Sequence, residues 1–358
     1  MKTTWQTKKL GEICYKASSN ISQNQLKNEE GEYPIYGASG FIKNISFYHQ
    51  NKEYISIIKD GAGIGRIALL PAKSSVIGTL QYLIPKENIN LKFLYYILNS
   101  FDFSKYKNGS TIPHIYFREY SKEQFLVPPF PEQKRIVKVL DDVFGKLEIA
   151  KNNAEKNLQN SKELFESYLK SIFNNPDKDW EEKKLNEISE NLDNKRIPIT
   201  KNVRSSGEYP YYGASGIVDY VGEYIFNNDL LLVSEDGANL LARTYPIAFS
   251  ISGKTWVNNH AHVLKFKQIE SQKFVEYYLN SIKLDSYVSG MAQPKLNQKM
   301  LNSILIPYPS LSGQKAIVKR LDALSEQTKK LEVIYKQKLA DLEELKKSVL
   351  KKAFSGEL

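Results

Sequence analysis

The run PEQKRIVKVLDDVFGKLEIAKNNAEKNLQNSKELFESYLKSIF, Pro131 to Phe173, carries a single apolar stripe. Ile136, Leu140, Val143, Leu147, Ala150 and Ala154 step by 4, 3, 4, 3 and 4, the spacing of a coiled-coil seam. Pro131 suits a first helical turn, where its missing N–H has no partner to lose. A helix of this length, at about 1.5 Å per residue, is a rod of roughly 60 Å. Its stripe needs a cover, and the chain holds a second one: Ile317, Leu321, Leu324, Thr328, Leu331, Tyr335, Lys338, Leu342, Leu345 and Val349. Ser312, ahead of Gln314, is the expected N-cap of that helix. The two helices are expected to pair with each other. The plainer alternative is that each packs only on its own domain.

The duplication extends beyond the helices. Trp5, Lys8, Lys9, Leu10 and Ile13 recur as Trp180, Lys183, Lys184, Leu185 and Ile188, a shift of 175 residues. Gly31-Glu-Tyr-Pro-Ile-Tyr-Gly-Ala-Ser-Gly40 recurs as Gly207-Glu-Tyr-Pro-Tyr-Tyr-Gly-Ala-Ser-Gly216, and Asp60-Gly-Ala62 as Asp236-Gly-Ala238, both shifted by 176. Further on the shift is 181: Phe93, Tyr96 and Asn99 answer Phe274, Tyr277 and Asn280; Gly109 and Pro113 answer Gly290 and Pro294. The helices match at the same shift, from Gln133, Lys134 and Ile136 against Gln314, Lys315 and Ile317 to Phe173 against Phe354. The period is far longer than that of a solenoid repeat. The chain is a duplicated domain-plus-helix, with expected boundaries at residues 1–130, 131–175, 176–311 and 312–358.

The 358 residues suffice for two globular domains with connecting helices. One cysteine, Cys14, excludes an intrachain disulfide. The start, Met1-Lys-Thr-Thr-Trp5, has no apolar run, so neither a signal peptide nor a membrane span is expected, and the reading is cytoplasmic. Net charge is +10, but unevenly placed: +6 over residues 1–130, +1 over 131–175, −1 over 176–311 and +4 over 312–358. A uniform polybasic coat is therefore excluded, and the second domain needs a local patch to hold an acidic polymer.

Each globular repeat reads as mixed α/β. Tyr54–Ile58, Ile67–Leu70, Gln81–Ile84, Leu230–Val233 and Val263–Phe266 read as strands. Leu91–Ser100 and Ser271–Ser281 read as short amphipathic helices, and the Gly-, Asn- and Ser-rich stretches between as loops.

Three motifs invite catalytic readings and fail them. Asp60-Gly-Ala-Gly-Ile-Gly65 looks like a cofactor cradle, but its copy Asp236-Gly-Ala-Asn-Leu-Leu241 keeps only Asp-Gly-Ala, so a turn is what the two share. Val127-Pro-Pro-Phe130 resembles the signature that amino-methyltransferases use on an exocyclic amine, with valine where the polar first residue belongs. His260-Ala-His262 has no Cys, Asp or Glu cluster near it in sequence, and Thr79 and Gln81 stand at its place in the first domain. A structural or base-facing role is expected there rather than a metal site. No catalytic, cofactor or metal residue is assigned.

What remains is a set of loops with a shared frame. Tyr36-Gly-Ala-Ser-Gly40 and Tyr212-Gly-Ala-Ser-Gly216 set an aromatic ring and a small hydroxyl on a permissive backbone. Gly109-Ser-Thr-Ile-Pro-His114 and Gly290-Met-Ala-Gln-Pro-Lys295 keep Gly and Pro and vary the rest. Either the glycine and proline preserve a turn and nothing more, or the varied side chains read base edges. On the second reading the first domain contacts DNA with Tyr36, Ser39, Lys59, Ser110, Thr111 and His114. The second uses Tyr212, Ser215, Glu235, Gln293, Lys295 and Asn297.

The order domain–helix–domain–helix resembles the specificity (S) subunit of type I restriction–modification systems. So do Lys8-Lys-Leu-Gly-Glu-Ile13, Tyr33-Pro-Ile-Tyr-Gly-Ala-Ser-Gly40, Pro131-Glu-Gln-Lys-Arg-Ile-Val137 and Lys352-Ala-Phe-Ser-Gly-Glu-Leu358. The resemblance covers essentially the whole chain. It implies two similar mixed α/β target-recognition domains, separated by two long antiparallel helices that form a coiled coil, with pseudo-two-fold symmetry. It implies that each domain reads half of a bipartite site in double-stranded DNA. It also implies that two methyltransferase (M) subunits dock on the helices, around Gln133, Lys134, Arg135, Gln314 and Lys315, with restriction (R) subunits beyond them. S-adenosylmethionine chemistry then belongs to the M subunits and ATP with Mg to the R subunits, with no cofactor in this chain. Ser312-Gly-Gln-Lys-Ala-Ile-Val318 departs from the Pro-Glu-Gln-Lys-Arg form, which puts one of the two equivalent contacts in doubt. The competing readings are the recognition subunit of a related methyltransferase–nuclease outside type I, an autonomous DNA enzyme, and a coiled-coil adaptor with no DNA role.

Overall fold

A computed structural model describes residues 5–290 and 293–358. The N-terminal reading at Met1 to Thr4, and Met291 and Ala292 of the second Gly–Pro loop, lie outside the described residues. The chain divides into two units: Met1–Glu155 with Gln337–Leu358, and Lys156–Lys336. Each long helix is therefore shared between them.

In the first unit the strand Tyr54–Ile58 is buried at every position. Its side chains alternate between two cores, as the two-residue period of a strand requires. Ile55 and Ile57 enter a cluster with Phe93, Leu94 and Ile97 of the helix Leu91–Asn99. Tyr54 and Ile58 enter a second cluster with Ile35, Ile45 and Val76. This strand sits inside an antiparallel four-stranded sheet ordered Cys14–Ser18, Leu80–Pro85, Tyr54–Ile58, Ile67–Leu70. A helix covers one face and a three-stranded sheet (Gly40–Ile45, Tyr33–Gly37, Ser75–Val76) covers the other. Burial on both faces is why four of its five residues are apolar, with Ser56 the one polar residue, instead of apolar and polar residues alternating. Cys14 lies in this interior, where burial pushes its thiol up to about 12. It stays protonated and inert at neutral pH.

The second unit repeats the plan. Leu230–Ser234 is buried throughout, with Leu231 and Val233 against Phe274 and Val275, and Leu230 and Leu232 against Phe226 and Val257. Its sheet is ordered Glu190–Asn191, Ala261–Lys265, Leu230–Ser234, Ala248–Ile251. A small two-stranded sheet brings the start of each repeat to the start of its long helix: Gln6–Lys9 pairs with Gln124–Val127, and Glu181–Lys184 with Leu305–Tyr308.

The long helices are Phe130–Asn174 and Leu311–Ser355. They close the two units crosswise. The core of the first unit includes Ile136, Val137 and Leu140 from the start of one helix, and Leu350 and Ala353 from the end of the other. The core of the second includes Leu169 and Phe173 from the end of the first helix, and Val318 and Leu321 from the start of the second. Phe354 packs edge-on against Phe93 with centroids 5.7 Å apart, and Phe173 against Phe274 at 5.4 Å. The helices are thus antiparallel in each unit, and each repeat's phenylalanine closes the other repeat's domain.

Two details of the helix reading are corrected. Ser312 is not the cap: the helix begins at Leu311, and Ser310 Oγ accepts from the Gly313 N–H at 3.3 Å. The second seam also departs from the count at alternate positions. Leu331, Lys338 and Leu345 are exposed, whereas Tyr335, Leu339, Leu342, Val349, Leu350 and Ala353 are partly or fully buried. Tyr335, Leu342 and Val349 stay on the stripe as counted, but the positions between them fall one residue later, at Glu332 and Leu339 instead of Leu331 and Lys338. A strict 4,3 count from Ile317 cannot detect it. Among the described residues, no helix is long and apolar enough to cross a membrane.

Candidate nucleic-acid interface

The loops singled out by the repeat form the same backbone frame in both units. In the first, the N–H of Lys59 donates to Thr79 O (3.0 Å), Gly61 N–H to Pro113 O (2.9 Å) and Ile115 N–H to Lys59 O (2.9 Å). In the second, Glu235 N–H donates to His260 O (2.9 Å), Gly237 N–H to Pro294 O (3.1 Å) and Leu296 N–H to Glu235 O (2.8 Å). Asn108 and His114 exchange two backbone bonds of 2.8 and 2.7 Å, and Ser289 and Lys295 exchange two of 2.9 and 2.8 Å. The glycine that opens each turn is required. Gly109 and Gly290 have φ of +83° and +81°, and a Cβ there would meet a backbone oxygen at 2.6 and 2.7 Å. The turn is preserved because its backbone allows nothing else; the side chains it displays are free to differ.

They do differ. Ser110 and Thr111 stand exposed at the tip of the first turn, and Gln293 is exposed beside the second. His114 donates from Nδ1 to Asp60 at 2.7 Å, and Lys59 holds the same carboxylate at 2.9 Å. Partial burial works against the Asp60 carboxylate, but the bonds from His114 and Lys59 prevail and hold its pKa below the ordinary value. At the matching site Lys295 reaches Glu235 at 3.2 Å. Asn297 caps the helix Gln298–Asn302, accepting from the Met300 N–H at 3.0 Å.

The second pair of loops consists of hairpin tips, where the sequence reading saw loops alone. Tyr33–Gly37 pairs with Gly40–Ile45, and Ser206–Gly213 with Gly216–Val221. Tyr36 and Tyr212 are therefore strand residues, both half-buried; Tyr36 packs edge-on against Phe41. Ser39 lies at one tip, and Ser215 at the other donates to Tyr245 Oη at 3.1 Å.

Sequence reading missed the surroundings of the two histidines of the second unit. Carboxylates do join them, brought from distant segments. His260 Nδ1 donates to Asp236 at 2.9 Å, and His262 Nδ1 to Asp193 at 2.6 Å. His262 is buried, and its Nε2 donates to Leu296 O at 2.7 Å. Both partners are acceptors, so both ring nitrogens are engaged. Asp193, Glu235 and His262 bring three ligand-type atoms within 4.8 Å. No coordinating lone pair remains on His262, however, and Arg196 already lies 2.7 Å from Glu235 and 3.5 Å from Asp193. The cluster is neutralised by the chain's own cations. Burial opposes ionisation of Asp193 and Glu235, but His262 and Arg196 hold both below the usual carboxylate range. Glu235, named as a reader, is mostly buried, and its oxygens are taken by Arg196 and Lys295.

The helix starts also depart from expectation. Gln133 and Gln314 are each 1% exposed, so neither side chain is available to a docking partner. The Gln133 amide donates to Asn88 O and Pro128 O and accepts from the Asn90 N–H. That of Gln314 donates to Pro309 O and accepts from Ser271 Oγ. These glutamines lock helix to domain, which is reason enough for their repetition. Lys134, Arg135 and Lys315 remain exposed, with Arg135 forked on Glu132 and reaching Leu358 O at 2.9 Å.

Two units with one frame, unlike side chains on its tips and two shared helices define a duplicated recognition scaffold. The model of the type I restriction modification DNA specificity domain matches residues 2–159 and again 177–343, and the chain belongs to that family. A putative type I restriction enzyme specificity subunit of Haemophilus influenzae, S.HindORF215P, is 36% identical over 162 residues, 45% of this chain and 41% of that protein. The EcoDI specificity subunit of Escherichia coli is 23% identical across 99% of this chain and 88% of its own. The MjaVIII specificity subunit of Methanocaldococcus jannaschii is 25% identical across 99% and 93%. The HsdS subunit from Thermoanaerobacter tengcongensis has the same fold, with a TM-score of 0.61 and 17% identity over 99% of this chain and 98% of that one. A chain from a structural study of assembly and conformational transition in the type I R-M system aligns at 0.76, with 16% identity and 99% of both chains covered.

Proposed function

We propose that this chain selects the DNA sequence on which a type I restriction–modification complex acts, each recognition domain reading one half of a bipartite, asymmetric site. The observation that carries the proposal is the frame repeated bond for bond in both units with different side chains at its tips. Such a design fixes where a side chain meets a base edge and leaves open which base it prefers. Because the two domains differ in sequence, the half-sites need not be palindromic. Residues 1–130 and 176–311 are the readers. Residues 131–175 and 312–358 set the gap and dock two M subunits, through exposed Lys134, Arg135 and Lys315 among others. The chain itself is non-catalytic and works in the cytoplasm on double-stranded DNA. S-adenosylmethionine is held by the M subunits, and ATP with Mg by the R subunits.

Methylome sequencing of a host carrying this chain with its M subunit tests the proposal. The expected result is one bipartite motif, with no methyl transfer by the isolated chain. Inserting one heptad near Asn157 and another near Lys338 is expected to lengthen the gap and leave both half-sites as they were. Altered half-sites with an unchanged gap, or methylation without a motif, would overturn it.

A further inference from the structure

One arrangement occurs twice without having been copied. The aspartate at one frame position, Asp60 in the first unit and Asp236 in the second, accepts from a histidine Nδ1 at 2.7 and 2.9 Å. The histidines are not repeat equivalents. His114 closes the Asn108–His114 turn, and its counterpart is Lys295. His260 lies between the strands Lys254–Val257 and Ala261–Lys265, and its counterpart is Thr79. The same pair is thus built from two different segments around one fixed carboxylate. Simple inheritance from the duplication accounts for the aspartates and not for the histidines.

The chemistry of the pair is specific. A carboxylate only accepts, so the pairing fixes the tautomer: hydrogen on Nδ1, with Nε2 left as the acceptor. The two side chains are 38% and 52% exposed, and among the described residues no protein group bonds either Nε2. His262 makes the contrast: it is buried, with both nitrogens engaged, and has nothing left to offer a ligand. His114 is steadied by Tyr116, whose ring stacks at 6.5 Å, and the backbone N–H of His260 is fixed by Asn258 Oδ1 at 2.8 Å.

Building on the DNA-specificity reading, we propose that Asp60–His114 and Asp236–His260 are base-reading pairs, one per half-site. In each, the aspartate sets the histidine tautomer, and Nε2 accepts from the exocyclic amine of an adenine or a cytosine in the major groove. The aspartates are positioning residues; the histidines make the contact.

Replacing Asp60 by Asn tests this without removing the contact. The amide N–H then points at Nδ1, the ring hydrogen moves to Nε2, and the acceptor becomes a donor; an Asp→Asn change imposes the wrong tautomer in the same way in a catalytic triad. In the complex with M subunits, Asp60→Asn is expected to switch one position of one half-site from adenine or cytosine to guanine or thymine. The change in preference is about tenfold or more, roughly one hydrogen bond gained and one lost. Asp236→Asn is expected to do the same in the other half only. A merely structural pair would give relaxation without a new preference, no change, or loss of both halves together, and any of these would overturn the inference. Should the variants fail to assemble, base analogues on the wild-type complex decide it. Purine for adenine, or pyrimidin-2-one for cytosine, is expected to weaken binding about tenfold at one position per half. At that position His114→Ala (or His260→Ala) should add nothing further; additive losses everywhere would reject it. Failure of the broader function looks different, because the wild-type complex would then show no sequence motif at all.

Discussion

Behind the same frame the two units have different interiors. Where the first places Gln81, buried and accepting from Tyr120 Oη at 3.0 Å, the second places the buried ring of His262 with both nitrogens engaged. Around Gln81 the chemistry is neutral. Around His262 it is ionic: Asp193, Glu235 and Arg196 share one mostly buried cluster, and Lys295 reaches in from the Gly–Pro loop. Duplication has kept the backbone and let buried polar chemistry diverge, so the second unit's Gly–Pro loop hangs on a mostly buried charge network, where the first has the more exposed Lys59–Asp60–His114 set. Buried ions are costly to leave unpaired, whereas a neutral hydrogen bond is cheaper to lose.

That difference sets the largest expected effect. His262→Ala leaves Asp193 without its main partner and is expected to cost about 3–5 kcal/mol, confined to the second unit. Gln81→Ala is expected to cost only about 1–3 kcal/mol in the first. Hydrogen exchange resolved by unit measures both, and equal losses would erase the distinction. Acid should separate the units in the same sense. The folded pKa values of Asp193 and Glu235 are depressed, so their stabilisation is present above the unfolded values and lost as pH falls through the folded ones. Starting from about 4, the unfolded carboxylate range, the second unit should lose the increments of both groups, against that of Asp60 in the first, and Asp193→Asn should remove its own share and leave that of Glu235.

Next in size is the crosswise closure. Phe173→Ala is expected to cost about 3–5 kcal/mol, and the loss should appear in the second unit although Phe173 belongs to the first repeat. Phe354→Ala is expected to loosen the first unit by less, because that ring is only partly buried. A loss read in the repeat that supplies the phenylalanine would contradict the exchange.

The contrast between what repeats and what diverges also explains what could be read from sequence. The doubled plan, the long helices and the apolar central strands were legible, because periodicity and duplication are written in nearest neighbours along the chain. So were the Gly–Pro turns, since Gly109 and Gly290 answer to local backbone geometry. The His262 network was not: Asp193 lies 69 residues away, and only folding brings it within 2.6 Å. The docking assignment for Gln133 and Gln314 failed for a related reason. Repetition marks constraint, and here the constraint is an internal amide network rather than a surface. The one-residue displacement at Glu332 and Leu339 escaped because a seam is set by what covers it, and a residue count does not register the cover.

Those glutamines give the third test. Gln133→Ala and Gln314→Ala are each expected to destabilise their own unit by about 1–3 kcal/mol through unpaired partners. At temperatures where the variants stay folded, the number of M subunits bound should not change. Reduced M binding by a fully folded Gln133→Ala complex would restore the docking role.

The smallest effect is expected at the reading loop of the second unit, where a base contact and a backbone contact are separable. Gln293 is exposed and carries both a donor and an acceptor, so it suits adenine N6 and N7. Gln293→Ala is expected to relax one position of one half-site by about 1–3 kcal/mol, with the salt dependence of binding unchanged. Lys295 differs because its ammonium already lies 3.2 Å from Glu235. A free lysine on a phosphate contributes about 0.9 to the slope of log K against log salt. A lysine shared with a carboxylate has less charge to give, so Lys295→Ala should lower the slope by distinctly less than that and weaken all sequences alike. Salt-titrated binding of the assembled methyltransferase decides between the two. A full unit of slope lost at Lys295 would mean that DNA pulls it off Glu235, and relaxation of a single base position would make it a reader after all.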